Sequence, residues 1–378
     1  MVARPKRKTA KKARRKTSPK KSAPKAILPP TGPVTLDQAR AMTVAKQPSL
    51  AIRKAAAPAA TPAPLGAERK RLQLARESEF DRRIREYKST MEIMKKRGAR
   101  PPSSKAKAKA GAKGKGKGEG GAAAGIAKGA GFQPLQIFAE GDSWFDYPVP
   151  FFGGGIIPRL EDLLGVPILN LAKAGDEVRY MLGVEERKLL IKHLTKGCPA
   201  GGPWDAMLFS GGGNDIVDNP MALWVGDWNP ANPPQAHINQ PRFSAALALV
   251  MAGYEDVIAL RDALSPSTQL IFHGYDLAIP DGRGICFLGP WLKPTFDLRK
   301  FPDRAAAQAV VTAMLQQFAA MLQTLAAKPK VTVVNTQGTL AQNPSSWHNE
   351  LHPSSKGFDK ITAKIRDRIA ALFPTRVV

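Results

Sequence analysis

Five short apolar runs recur through the last two-thirds of the chain, at 135–139, 167–171, 206–210, 269–273 and 331–335. Each has strand length and is nearly continuous in its hydrophobicity. Alternation of apolar and polar residues would mean a sheet with one wet face. Unbroken runs mean strands covered on both faces, as in a parallel sheet. Helical spacings lie between them, at 156–164, 177–193, 243–264, 304–327 and 354–372. This alternation predicts a doubly wound, three-layer α/β domain on a parallel five-stranded sheet. Right-handed crossovers would gather the C-terminal ends of all strands on one edge, where ligands bind. Two polar, Pro-rich insertions, 218–242 and 277–301, follow the third and fourth strands. They are too long for connectors and should rise over that edge as a lid or substrate wall.

The first third has another texture. Residues 1–66 are rich in Lys, Arg, Ala and Pro and poor in large apolar side chains, so they should be a disordered basic tail. Residues 67–98 are strong helix formers without proline. Phe80, Ile84, Tyr87, Met91 and Met94 fall on one helical stripe, which makes a basic amphipathic helix. Such a helix could be solvated and weakly docked, or could meet an anionic surface, a nucleic acid or a partner groove. Residues 99–130 alternate Gly, Ala and Lys and read as a flexible linker before a globular domain at 131–378.

Charge sharpens this division. The formal net charge is +26, but residues 1–130 hold 35 Lys+Arg against 8 Asp+Glu, which is +27, leaving −1 for the rest. A polyanion-binding reading therefore attaches only to the tail, where Lys and Arg could neutralise phosphates without reading sequence. Cys198 and Cys286 are too few and too far apart for a disulfide framework or a metal site, and fit thiols in a reducing, cytoplasmic setting. The basic N-terminus lacks the apolar segment of a secretory signal. No window reaches about 18 uninterrupted apolar residues, so no membrane span is expected.

Candidate chemistry gathers at the strand ends. Ser143 follows the first strand in Gly141-Asp142-Ser143-Trp144, Gly175 the second, Asn214 the third in Gly212-Gly213-Asn214-Asp215, and His352 the fifth. Each alone is an ordinary turn or loop residue; four such types after separate strands point to one site. A serine hydroxyl is a weak nucleophile and needs a base, for which His352 is suited. Acyl transfer builds an oxyanion, which the Ser143 N–H at a helix start, the Gly175 N–H and the Asn214 amide could stabilise. His273 and His348 are rival bases. Trp144, Phe145, Tyr147, Phe151 and Phe152 read chiefly as core under the first helix, or else as a pocket wall. Trp224, Trp228 and Trp291 fall in the insertions, as lid residues or as the insertions' own core.

These residues resemble the blocks of the SGNH (GDSL-type) hydrolases over about 133–372. Gly141-Asp142-Ser143 is similar to the first block, the Gly175 segment to the second, Gly212-x-Asn214-Asp215 to the third and the His352 segment to the last. The resemblance implies a flavodoxin-like three-layer fold and hydrolysis of esters or thioesters without metal or cofactor. It implies Ser143 as nucleophile, His352 as base, and Ser143, Gly175 and Asn214 as oxyanion hole. Asp142 and Asp215 would fix their turns. The substrate could be an acyl ester, a lysophospholipid or an acetylated sugar. One departure stands out: the last block usually reads Asp-x-x-His, whereas here Asn349 precedes His352 by three. Asn349 could orient the histidine through its amide oxygen, Glu350 could substitute, or a backbone carbonyl or another acid could serve. The alternative for the whole chain is a polyanion-binding tail on a catalytically weak hydrolase scaffold.

Overall fold

In the computed structural model of the protein, the described residues are 32–46, 65–99, 133–147, 154–285 and 288–377. The strands are β1 (Ile137–Gly141), β2 (Ile168–Asn170), β3 (Ala206–Ser210), β4 (Gln269–His273) and β5 (Val331–Val334). They form one parallel sheet in the order β2-β1-β3-β4-β5. Every residue of β1 and β3 is buried, as unbroken apolar runs require. The helices are α1 (Leu36–Lys46), α2 (Leu65–Arg97), α3 (Ile156–Leu164), α4 (Val178–Met181), α5 (Val184–Lys196), α6 (Gly213–Ile216), α7 (Gln240–Leu264), α8 (Lys293–Leu298), α9 (Arg304–Thr324) and α10 (Ser355–Leu372).

The strand order dictates the layers. The step from β1 to β2 runs one way across the sheet, and the steps from β2 through β3 and β4 to β5 run the other. With right-handed crossovers, α3 must lie on one face and α5, α7 and α9 on the opposite face. The contacts agree: α3 packs on α10, while α7 touches both α5 and α9. Tyr254 of α7 sits edge-on to Phe209 and Phe272 of β3 and β4, with centroids at 5.0 and 4.9 Å. By length and composition alone, α7 and the helical stretch containing α9 could cross a membrane; here each lays a buried face on the domain core.

Helix limits follow local chemistry. α7 starts at Gln240 rather than 243, because the Asn239 side chain caps the Arg242 N–H and Pro241 suits a first turn. The helix expected over 177–193 breaks at Leu182–Gly183, where Gly183 is extended and opens α5. The two insertions pack on each other. Trp228 N donates to Arg299 O at 2.8 Å, and its ring stacks on His237 beside Phe301.

The N-terminal third requires a correction. Residues 1–31, 47–64 and 100–132 lie outside the described residues, but 36–46, expected to be disordered, form α1. Thr35 and Gln38 cap each other's N–H, at 3.0 and 3.3 Å, which is a capping box at the start of α1. Val34, Leu36 and Ala39 are buried, and α1 packs on α2. The stripe on α2 is not solvated either. Tyr87, Met91 and Met94 are buried, and Tyr87 packs against Trp204 at 5.7 Å with its hydroxyl 3.5 Å from Cys198 Sγ. Arg83 donates to the carbonyls of Asn170, the last residue of β2, and Ala172 just beyond it, and pairs with Asp146. α2 is part of the body that covers the β2 edge. Each of its four large buried apolar side chains, Tyr87, Met91, Ile93 and Met94, contributes about 1.5–3 kcal/mol by leaving water.

Candidate active site

β1 ends against β3 at a point that only glycine fits. A Cβ on Gly141 would lie 2.6 Å from Ser210 O, so a side chain would push the strands apart. Beyond it, Asp142 N donates to Ser210 O at 3.0 Å, and the Asp142 carboxylate accepts from Trp144 N, Ser210 Oγ and Tyr275 OH. Burial pushes the Asp142 carboxyl up to about 6, against those three donors. Asp142 is thus the anchor of its turn. Ser143 itself lies in the turn 142–146, and among the described residues the first helix after β1 begins at Ile156. The expectation that Ser143 opens a helix is therefore corrected, because the chain turns once and runs on to Tyr147. Phe151 and Phe152 lie outside the described residues.

Across the cleft, Ser143 Oγ is 2.6 Å from His352 Nε2. On the other side of the ring, His352 Nδ1 is 3.0 Å from Asn349 Oδ1. Leu351 N and His352 N also donate to Asn349 Oδ1, at 3.0 and 2.9 Å. Those backbone donors fix the amide with its oxygen toward the ring. An oxygen there can only accept, so the proton sits on Nδ1 and leaves Nε2 to accept from the serine. Burial, joined by His348, pushes the His352 imidazole down to about 3.

Glu350 does something else. It is buried and accepts from the N–H groups of Gly282, Trp291, Leu292 and Lys293, at 2.9, 2.6, 2.7 and 3.0 Å. It ties the histidine loop to the 277–301 insertion and does not contact the His352 ring. His273 lies under Trp144, stacked at 5.8 Å, with Nδ1 against Gly274 O. Burial pushes it down to about 4. His348 Nδ1 meets Tyr147 OH at 2.8 Å. Of the insertion tryptophans, Trp291 reaches the ring of His352, at 6.0 Å, whereas Trp224 packs on Phe243 and Trp228 on His237.

Asn214 is the second residue of α6 and lines the same cavity as Ser143 and His352. One of its amide N–H groups donates to Asp176 O at 2.9 Å, and Asp215 accepts from Val178 N at 3.0 Å. These bonds, with Lys173 N donating to Gly141 O, hold the Gly175 loop against β1 and β3. Gly175 has φ +85°, which other residues rarely adopt; it is exposed and is not part of the cavity wall. The cavity has a volume of about 40 Å³ and apolar walls that include Ile216, Val217, Val311, Met314 and Leu315. Sequence reasoning named none of these five. Their helical and loop positions read as ordinary core, and only the fold turns them to the serine.

Fold and site together define a three-layer α/β protein with a serine–histidine pair at the C-terminal edge of its sheet. The chain belongs to the GDSL-like lipase/acylhydrolase family, whose sequence profile matches residues 141–360. No curated protein matches it. Among solved structures it is similar to the lipase Lip_vut3 from goat rumen metagenome, with 18% identity, a TM-score of 0.41, and 62% of this chain and 96% of that chain covered. It is also similar to an extracellular lipase from Streptomyces rimosus, with 17% identity, a TM-score of 0.38 and 61% and 98% covered. A carbohydrate esterase family 3 protein from Talaromyces cellulolyticus gives 13% identity, a TM-score of 0.36 and 64% and 98% covered.

Proposed function

We propose that the protein is a serine esterase that works through an acyl-enzyme at Ser143, with His352 as its base. The observation that carries this reading is the 2.6 Å contact from Ser143 Oγ to a His352 Nε2 that is free to accept. In the first half-reaction Ser143 Oγ attacks the ester carbonyl carbon and its proton passes to Nε2. The carbonyl oxygen becomes an oxyanion, received by the N–H groups of Ser143 and Gly175 and the second amide hydrogen of Asn214. The intermediate collapses, the C–O bond breaks, and Nε2 returns the proton to the departing alcohol. Water then attacks the acyl-enzyme with His352 again taking the proton, and the acid leaves with Ser143 restored. Asn349 holds the tautomer throughout.

The cavity supports a short acyl group. Its volume is only about 40 Å³ and its walls are apolar, which favours a small acyl chain such as acetyl. The test is a panel of aryl esters of rising acyl length, with a fluorophosphonate probe alongside. Wild type is expected to take the probe and to favour the shortest esters, and Ser143→Ala to lose both labelling and roughly 10³-fold or more of the rate. Unchanged turnover in Ser143→Ala would overturn the reading.

A further inference from the structure

Hydrolysis at Ser143 would create an imidazolium on His352, yet among the described residues no carboxylate contacts that ring; what faces Nδ1 is the neutral amide of Asn349. What lies over its face is Tyr147. The two rings are stacked with centroids 4.3 Å apart and planes 25° from parallel. Tyr147 is buried, and its hydroxyl accepts from Asn349 Nδ2 at 3.2 Å. The phenol therefore grips both partners, holding the amide by its oxygen and covering the imidazole with its π face. Resting on the mechanism above, we propose that Tyr147 is a positioning residue that substitutes for the missing acid: its π face stabilises the His352 cation while its hydroxyl secures Asn349. A cation against a desolvated aromatic face is a favourable pair, and the neutral imidazole gains less from it. The interaction thus strengthens as the proton arrives, which is what accelerates a reaction. A tyrosine kept only for packing would stabilise both protonation states alike.

The experiment is a double-mutant cycle on the full chain. Tyr147→Phe keeps the ring and loses the hydroxyl; Tyr147→Leu loses both. Each is made in wild type and in Asn349→Asp, where a carboxylate supplies the charge directly. In wild type, Tyr147→Leu is expected to lower kcat roughly 10- to 30-fold with KM within about twofold, and Tyr147→Phe to retain activity within a few-fold. In Asn349→Asp the loss on Tyr147→Leu is expected to shrink to a few-fold. Equal losses in both backgrounds, or a Phe variant as impaired as the Leu variant, would overturn the proposal. Thermal melting separates misfolding from catalysis, and Tyr147→Phe preserves the packed ring if the Leu variant does not fold. If Ser143→Ala remains active, the esterase reading fails instead, and that control is run in parallel.

Discussion

At position 349 an amide does half of a carboxylate's work. Its oxygen is held by two backbone donors and so fixes the His352 tautomer, but it brings no charge to offset the imidazolium. Burial, joined by His348, pushes the ring down to about 3 from its ordinary 6.5. Activity through His352 needs the neutral ring, so the acid limb of kcat/KM should lie well below pH 6, with the rate flat across mild acid. In Asn349→Asp, a carboxylate beside Nδ1 favours the charged ring and raises its pKa. The acid limb should then move up by a unit or more, and kcat should rise by roughly tenfold or more as the imidazolium gains a counter-charge. A pH–rate profile of the two proteins checks this, and an unmoved limb would show that Asn349 does not govern the histidine. The departure at Asn349 was legible in the sequence through the resemblance, whose last block carries an Asp three residues before the histidine. Tyr147 was not legible as a partner of that pair. Its hydroxyl meets His348 and Asn349 across 201 and 202 residues, and an aromatic near the nucleophile reads first as core.

Among the elements, the insertion after β4 is the one whose position was foreseen and whose fastening was not. It was expected over the sheet edge, and it does supply Leu292 to the cavity wall and Trp291 to the histidine. One of its fastenings is the buried Glu350, which gathers four N–H groups ahead of and within the first turn of α8. A carboxylate taking several backbone donors is a charge-assisted anchor, and each such bond is worth about 1.5–3 kcal/mol on removal of a partner, though the four will not add. Glu350→Ala should therefore destabilise by about 3–5 kcal/mol. Glu350→Gln should fall between it and wild type, since an amide nitrogen turns a donor toward N–H groups that need an acceptor. Both should raise KM more than they lower kcat, because the wall moves while Ser143, His352 and Asn349 stay in place. Denaturant unfolding and Michaelis kinetics measure the two effects, and a Gln variant equal to wild type in both would refute the anchor. In sequence, Glu350 was itself a candidate to orient His352; only the three-dimensional path of 282–293 shows that its oxygens point to backbone N–H groups instead.

At the scale of the whole molecule, the division of charge suggested a basic extension attached to a self-sufficient domain at 131–378. The structure joins them. Composition averaged over 1–66 hides the short Thr35-Leu36-Asp37-Gln38 cap and the buried Leu36 and Ala39, and an amphipathic stripe does not name the surface it will cover. That surface is the flank of β2, with Trp204 and Cys198 behind it. A domain cut at 131 would return this apolar ground to water and free the carbonyls that Arg83 now occupies. In the full chain, Met91→Ala should cost about 2–4 kcal/mol, and with it several degrees of melting temperature. Residues 131–378 alone should lose more and show a tendency to associate through the uncovered flank. The cavity beside Ser143 takes none of its lining from α1 or α2, so turnover per folded molecule should survive both changes. Calorimetry, sedimentation and active-site titration with the fluorophosphonate probe separate these quantities. If 131–378 melts where the full chain does, the helices are passengers. If it melts lower but turns over normally, stability and chemistry are divided along the chain: the basic third steadies the β2 flank and the remaining residues carry the site.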